Sequence, residues 1–241
     1  YYPLPEENVN EATFETPQLK HLIEFVGKES APVKNVTIEG MELTQTVRTF
    51  MEDYEPLLRS DWTIYRGGAV IFRRTENCIL HDCYIHNVGG NGIFFDKYNR
   101  HSAITGSFLT SIGSSAICFV GDPAGVRSPS FRYEEFVTLD KMDRAKGPLN
   151  ENHPAYCEVY NNWICNIGLF EKQITGVELS MCRNITISHN SIYDTPRAGI
   201  NISEGTWGGH IIEHNDIFNT VKETGDHGSI NSWGRDRFWH P

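Results

Sequence analysis

The chain has 241 residues, 39% hydrophobic and 22% charged, with a formal net charge of −10. That length can bury a sizeable core, in one elongated domain or in two compact ones. The acidic balance argues against a nucleic-acid partner, which needs a basic face, and no apolar run of about eighteen residues exists to cross a membrane.

The opening "YYPLPEEN" carries no initiator Met, leader or lipidation motif. Residues 1–34 are read as an N-terminal extension or part of a preceding module, leaving room for further domains outside this chain. From residue 35 a repeat takes over. "VTIEGMELTQT" (36–46) is interrupted by residues 47–68 and resumes at "AVIF" (69–72). "CILHDCYIHNVGGNGIFF" (78–95) and "SAITGSFLTSIGSSAICF" (102–119) then match in pattern, 24 residues apart. Residues 120–155, rich in Pro, Gly and charge, read as a long surface loop. "CEVYNNWICNIG" (157–168), "ITISHNSIYDTPRAGINIS" (185–203) and "IIEHNDIFNTVKETGDHGSINS" (211–232) complete six copies.

Laid over one another, the copies give fixed apolar columns. The first is Ile38, Leu80, Ile104, Val159, Ile187 and Ile212; the second, five residues on, is Leu43, Ile85, Leu109, Ile164, Ile192 and Ile217. A third runs Val70, Ile93, Ile117, Val177, Ile200 and Ile230, with Phe72, Phe95, Phe119, Leu179 and Ile202 two residues further. Alternation within each short run has period two, which means strands. Asn162, Asn190 and Asn215 superpose between the first two columns, where Asn tolerates left-handed backbone and hydrogen-bonds along a stack. A repeat of about 25 residues cannot bury its own apolar face, but stacked repeats share a core. The expectation is an all-β, right-handed parallel β-helix of about six coils over residues 35–241, with inserted loops 47–68 and 120–155. A sandwich or propeller would show hairpin turns at closer spacing. The six cysteines lie in apolar runs without CxxC pairing and read as small buried hydrophobes rather than as zinc ligands or disulfides.

Function on such a stack belongs where loops break the period. The two insertions, with five extra residues in "KETGDHG", fall near the last strand of the repeat and should wall a groove. Glu178, Asn201 and Asn231 should stack on that face as a polar ladder that binds substrate, with Phe94 and Cys118 earlier in the same column. Asp226 and His227, between Gly225 and Gly228, could serve as acid, base or a His-oriented carboxylate; the plainer alternative is a turn with a solvated His. Glu204, Asp226 and Asp236 could converge as the carboxylates that glycoside hydrolysis requires. Trp207 and Trp233 would offer flat faces to sugars, and His227 and Arg235 would orient substrate. Trp207 capping the core edge, and a structural pairing of Asp236 with Arg235 or Arg237, are the competing readings. Asp96, Lys97, Glu171 and Lys172 read as solvated charged turns. One Glu and two Asn in the ladder are too few oxygen ligands for calcium, and no metal or other cofactor is expected.

The run "HNSIYDTPRAGINISEGTWGGHIIEHNDIFNTVKETGDHGSINSWGRDRFW" (189–239) resembles bacterial right-handed parallel β-helix proteins of polysaccharide utilisation, most of all glycoside hydrolase family 141. The resemblance is dense over 183–241 and looser over 35–182. It implies α-L-fucosidase- or xylanase-like hydrolysis of a plant or host polysaccharide by a pair of aspartates. Asp226 and Asp236 are the candidates in the resembling stretch, and the second aspartate could lie beyond residue 241. A polysaccharide substrate implies an extracellular or periplasmic setting. A non-catalytic carbohydrate-binding β-helix is the alternative, and a lyase or epimerase another. The Asn-Thr-Asp, Asp-Asp and Arg-Ile-Lys motifs of polygalacturonase-like β-helices do not occur.

Overall fold

A computed structural model describes residues 3–58, 62–128, 135, 137–203 and 207–232. Among these the secondary structure is almost entirely strand, with two 3₁₀ turns and no α-helix. Three parallel sheets dominate. Sheet A runs Ile23–Val26, Val70–Glu76, Ile93–Arg100, Ile117–Val120, Thr175–Ser180, Ala198–Ile202 and Ile230–Ser232, with two short side strands, Val33–Lys34 and Pro154–Ala155. Sheet B runs from Thr37–Glu39 to Ile211–Glu213, and sheet C from Glu42–Thr44 to Asp216–Phe218, each with six strands. The chain visits B, C and A in turn, and each circuit adds a strand to every sheet, an arrangement consistent with a β-helix. The stretch 1–34 supplies the edge strand of sheet A, where Phe25 pairs with Phe72.

The register reproduces the apolar columns. In sheet B, Ile38, Leu80, Ile104, Val159, Ile187 and Ile212 are successive partners. In sheet C the same holds for Leu43, Ile85, Leu109, Ile164, Ile192 and Ile217. All three columns meet in one core, except at Ile230, which ends the third column 51% exposed. A one-residue slip would turn each set outward, so burial fixes the register. Sheet A adds a file of rings, Phe25, Phe72, Phe95 and Phe119, with centroids 4.6, 4.5 and 4.4 Å apart. All six cysteines are free and buried.

Asparagine closes the corner between sheets B and C. The Asn190 side-chain oxygen accepts from the Asn162 backbone N–H at 2.9 Å, and the Asn215 oxygen does the same for Asn190. Their amides donate onward to the Ile104 and Val159 carbonyls, so the ladder satisfies groups that no sheet reaches. The left-handed step lies one residue earlier than expected, at Asn161, His189 and His214 (φ 54°, 59° and 55°). The stacked asparagines work through their side chains, not through backbone tolerance.

Candidate functional site

Alternation that turns Phe72 inward turns its neighbours outward on sheet A. The outward column reads Ile71, Phe94, Cys118, Glu178, Asn201 and Asn231, apolar in the earlier circuits and polar in the later ones. The insertions do not merely flank this face. Leu57, Leu58, Trp62 and Ile64 from the first, Val126 from the second, and Trp207 pack with Phe94, Cys118, Val120 and Met181 as a second apolar cluster. An exposed column of this kind would leave costly apolar area in water, so the loops roof it. The expected open groove is therefore covered along this stretch.

Where the roof meets the polar circuits, Glu178 and Asn201 are fully buried. Asn231 donates to the Asn201 side-chain oxygen at 2.6 Å, and Asn201 donates to both Glu178 oxygens at 2.9 and 3.2 Å. The Ser203 hydroxyl donates to the same carboxylate. No cation joins Glu178 among the contacts of the described residues. Burial pushes its carboxyl up to about 8, overcoming the opposing hydrogen bonds from Ser203 and Asn201. Glu178 thus holds its proton at neutral pH.

Asp226 has a different setting. Its side chain is 84% exposed, with Oδ2 3.8 Å from Arg197 Nη2 and 3.5 Å from His227 Nδ1. The His227 ring is sealed beneath, edge-on to Trp62 with centroids 6.0 Å apart. Arg197 can only donate, so His227 Nε2 accepts from its Nη2 at 3.2 Å, while Nδ1 donates to the Asp226 carbonyl. The Arg197 guanidinium lies 5.1 Å over the Trp62 ring. The third insertion and the first, more than 150 residues apart in sequence, therefore meet through Trp62, Arg197 and His227. The flanking glycines are not what the turn requires. A Cβ on Gly225 would meet nothing within 4 Å, and the left-handed residue is His227 itself, at φ 98°. A histidine held there by its packing is the kind of local strain found at functional sites.

Other expected residues fall elsewhere. Trp207 is 5% exposed and packs against His153 at 4.7 Å, so its indole fills the roof rather than an open platform. Burial and the nearby Arg100 charge lower His153 to about 4. Asp96 is not on a solvated turn: it is buried, accepting from Arg66 Nη1 at 2.7 Å and Arg73 Nε at 2.5 Å. Glu171 accepts from the Tyr54 hydroxyl and, at 2.9 Å, from Ser114, while Lys172 pairs with Glu223 at 2.9 Å. Glu204, Trp233, Arg235, Asp236 and Arg237 lie outside the described residues. Sequence reasoning missed Trp62 and Arg197. The available cue was an apolar cluster, Leu57, Leu58 and Trp62, inside an otherwise polar insertion.

No protein-family model matches the chain, and no curated protein matches it. Solved structures do. One described as a glycoside hydrolase superposes with a TM-score of 0.68 at 16% identity, over 98% of this chain and 43% of its own. Another, described as a complex of XylC with xylose, gives 0.44 at 15% identity, over 76% of this chain and 29% of its own. The chain spans less than half the length of either. The first likeness establishes a fold shared with a carbohydrate-active protein.

Proposed function

We propose that the protein is a glycoside hydrolase built on a right-handed parallel β-helix of about six coils, of the kind found in glycoside hydrolase family 141. Its substrate on this reading is a xylan- or fucose-containing polysaccharide met outside the cytoplasm. The observation that carries the proposal is the exposed Asp226 carboxylate, within 4 Å of Arg197 and His227 where two insertions converge. An accessible carboxylate with a cation nearby can act as nucleophile or base at an anomeric carbon. Glycoside hydrolysis needs a second carboxyl as acid, and Glu204 and Asp236 are the candidates for it. Contrary to expectation, neither Glu178 nor Asn201 has exposed surface to offer a substrate; Glu178 accepts from Asn201, which accepts from Asn231.

The test is reducing-end release from xylan, fucosylated glycans and host glycans. Asp226→Asn should lower kcat on the responsive substrate by about 100-fold or more, the range of a lost general acid or base. Full turnover by that variant would remove Asp226 from the chemistry. Sugar binding without any released reducing end would favour a binding module instead.

A further inference from the structure

Midway along the strands Val70–Glu76 and Ile93–Arg100 lies a hollow of about 390 Å³ lined by Arg66, Arg73, Arg74, Asp96, Lys97 and Asn152. Four of the six are cationic and one is acidic, in a chain whose formal net charge is −10. The cations differ in how fully they are engaged. Arg66 is saturated, donating to Glu55, to Asp96 at 2.7 Å, and to the Val120 and Gly121 carbonyls at 3.3 and 3.1 Å. It forms a fixed back wall. Among the described residues Arg73 commits only Nε, to Asp96 at 2.5 Å, leaving both terminal amino groups of a side chain that is 42% exposed. Arg74 has one long contact, 3.8 Å to a Glu29 that is itself 90% exposed. Lys97 lies 3.4 Å from Asp122, whose other strong partner is Asn152 Nδ2 at 2.6 Å. That bond leaves Asn152 Oδ1 buried with no hydrogen-bond donor among the described residues. A second hollow of about 620 Å³, containing Tyr98 and Lys34, shares Arg74 and Asn152 with the first, so the two adjoin.

Spare guanidinium and ammonium donors on one wall, beside an acceptor lacking a donor, fit a ligand with an anion and a hydroxyl on one small ring. We propose that this hollow is a subsite for an acidic sugar residue. Its carboxylate or sulfate ester is held by Arg73, Arg74 and Lys97, and one of its hydroxyls donates to Asn152 Oδ1. The inference rests on the carbohydrate reading above and narrows it to anionic glycans. The neighbouring hollow then carries the chain's next residue.

Calorimetric titration of the full chain separates the outcomes. The probes are trigalacturonate, its carboxyl-reduced neutral counterpart, and a sulfated neutral trisaccharide. The expected result is binding of at least one anionic probe about ten-fold or more tighter than the neutral one, since a charge-assisted contact commonly exceeds 1.4 kcal/mol. Binding should weaken as salt rises. The two anionic probes tell carboxylate from sulfate. Arg74→Gln and Lys97→Gln leave Asp96 between Arg66 and Arg73, and each should weaken the preferred probe several-fold. Arg48→Gln, whose guanidinium lies instead over Phe170, should not. Equal affinity for charged and neutral probes, no binding of either anion, or unaltered binding by both Gln variants overturns the proposal. Acidic-sugar binding without hydrolysis of any glycan would leave this subsite standing and remove the enzyme reading. Hydrolysis of neutral glycans with no affinity for the anions would do the reverse.

Discussion

Sheets A and C share one core but treat their outer faces in opposite ways. On sheet C the outward residues Tyr84, Phe108, Trp163, Tyr193 and Phe218 form a file of rings that no insertion covers; Trp163 and Phe218 are each 52% exposed. Tyr84 stacks on Phe108, and Tyr193 on Phe218, within 10° of parallel, so these rings spend their faces on each other and show water mainly edges. On sheet A, Phe94 and Cys118 disappear beneath loop side chains, and the polar circuits beyond them hold Glu178, Asn201 and Asn231. Exposed aromatics would ordinarily mark a sugar platform. Here they knit successive strands together, and the proposed site lies where the insertions land.

Variants can break this contrast. The largest effect belongs to the interior both sheets depend on: Phe95→Ala removes the centre of the Phe72–Phe95–Phe119 file and should cost about 4 kcal/mol in chemical denaturation. Next comes Glu178. Its carboxyl titrates near 8 when folded against an ordinary value of 4.5, so the unfolded chain releases that proton first. Stability is lost as pH rises from about 4.5 through about 8, amounting to about 3 kcal/mol at pH 7. Glu178→Gln should remove that slope, so its melting temperature gains on the natural protein as pH rises. The buried His153 and His210 work in the other direction. Both are lowered to about 4, so stability falls as pH drops from 6.5 towards 4 in both proteins and cancels in the comparison. If the two curves stay parallel between pH 5 and 8, Glu178 is not a buried neutral acid.

A smaller loss, about 2 kcal/mol, is expected for Asn190→Ala, which strips the Asn162 N–H and the Val159 carbonyl of their partner. That ladder was legible in the sequence because the asparagines recur with the apolar columns, and a column that repeats is visible however far apart its members lie. Even there the left-handed residue was misplaced by one, since a side-chain ladder and a backbone kink leave the same trace of recurring Asn. The polar column Glu178, Asn201 and Asn231 was legible for the same reason. Its burial was not, because Leu57, Trp62 and Val126 come from insertions that obey no period. For that reason too Arg66 was not legible: only the return of the first insertion to sheet A brings it against Asp96.

The smallest expected effect is the sharpest test of the contrast between faces. Trp163 is half exposed, its indole N–H donates to the Tyr193 hydroxyl at 2.7 Å, and its ring leans on Phe108 at 5.1 Å. Trp163→Ala forfeits one exposed hydrogen bond and part of a stack, about 1 kcal/mol. It should leave both glycan turnover and acidic-sugar affinity unchanged, because Trp163 lies on sheet C while Asp226 and the basic hollow lie against sheet A. A variant that folds normally but loses glycan affinity would mean the aromatic file is a sugar-binding face after all. The roofed face would then be structural, and the roles assigned to the two sheets would have to be exchanged.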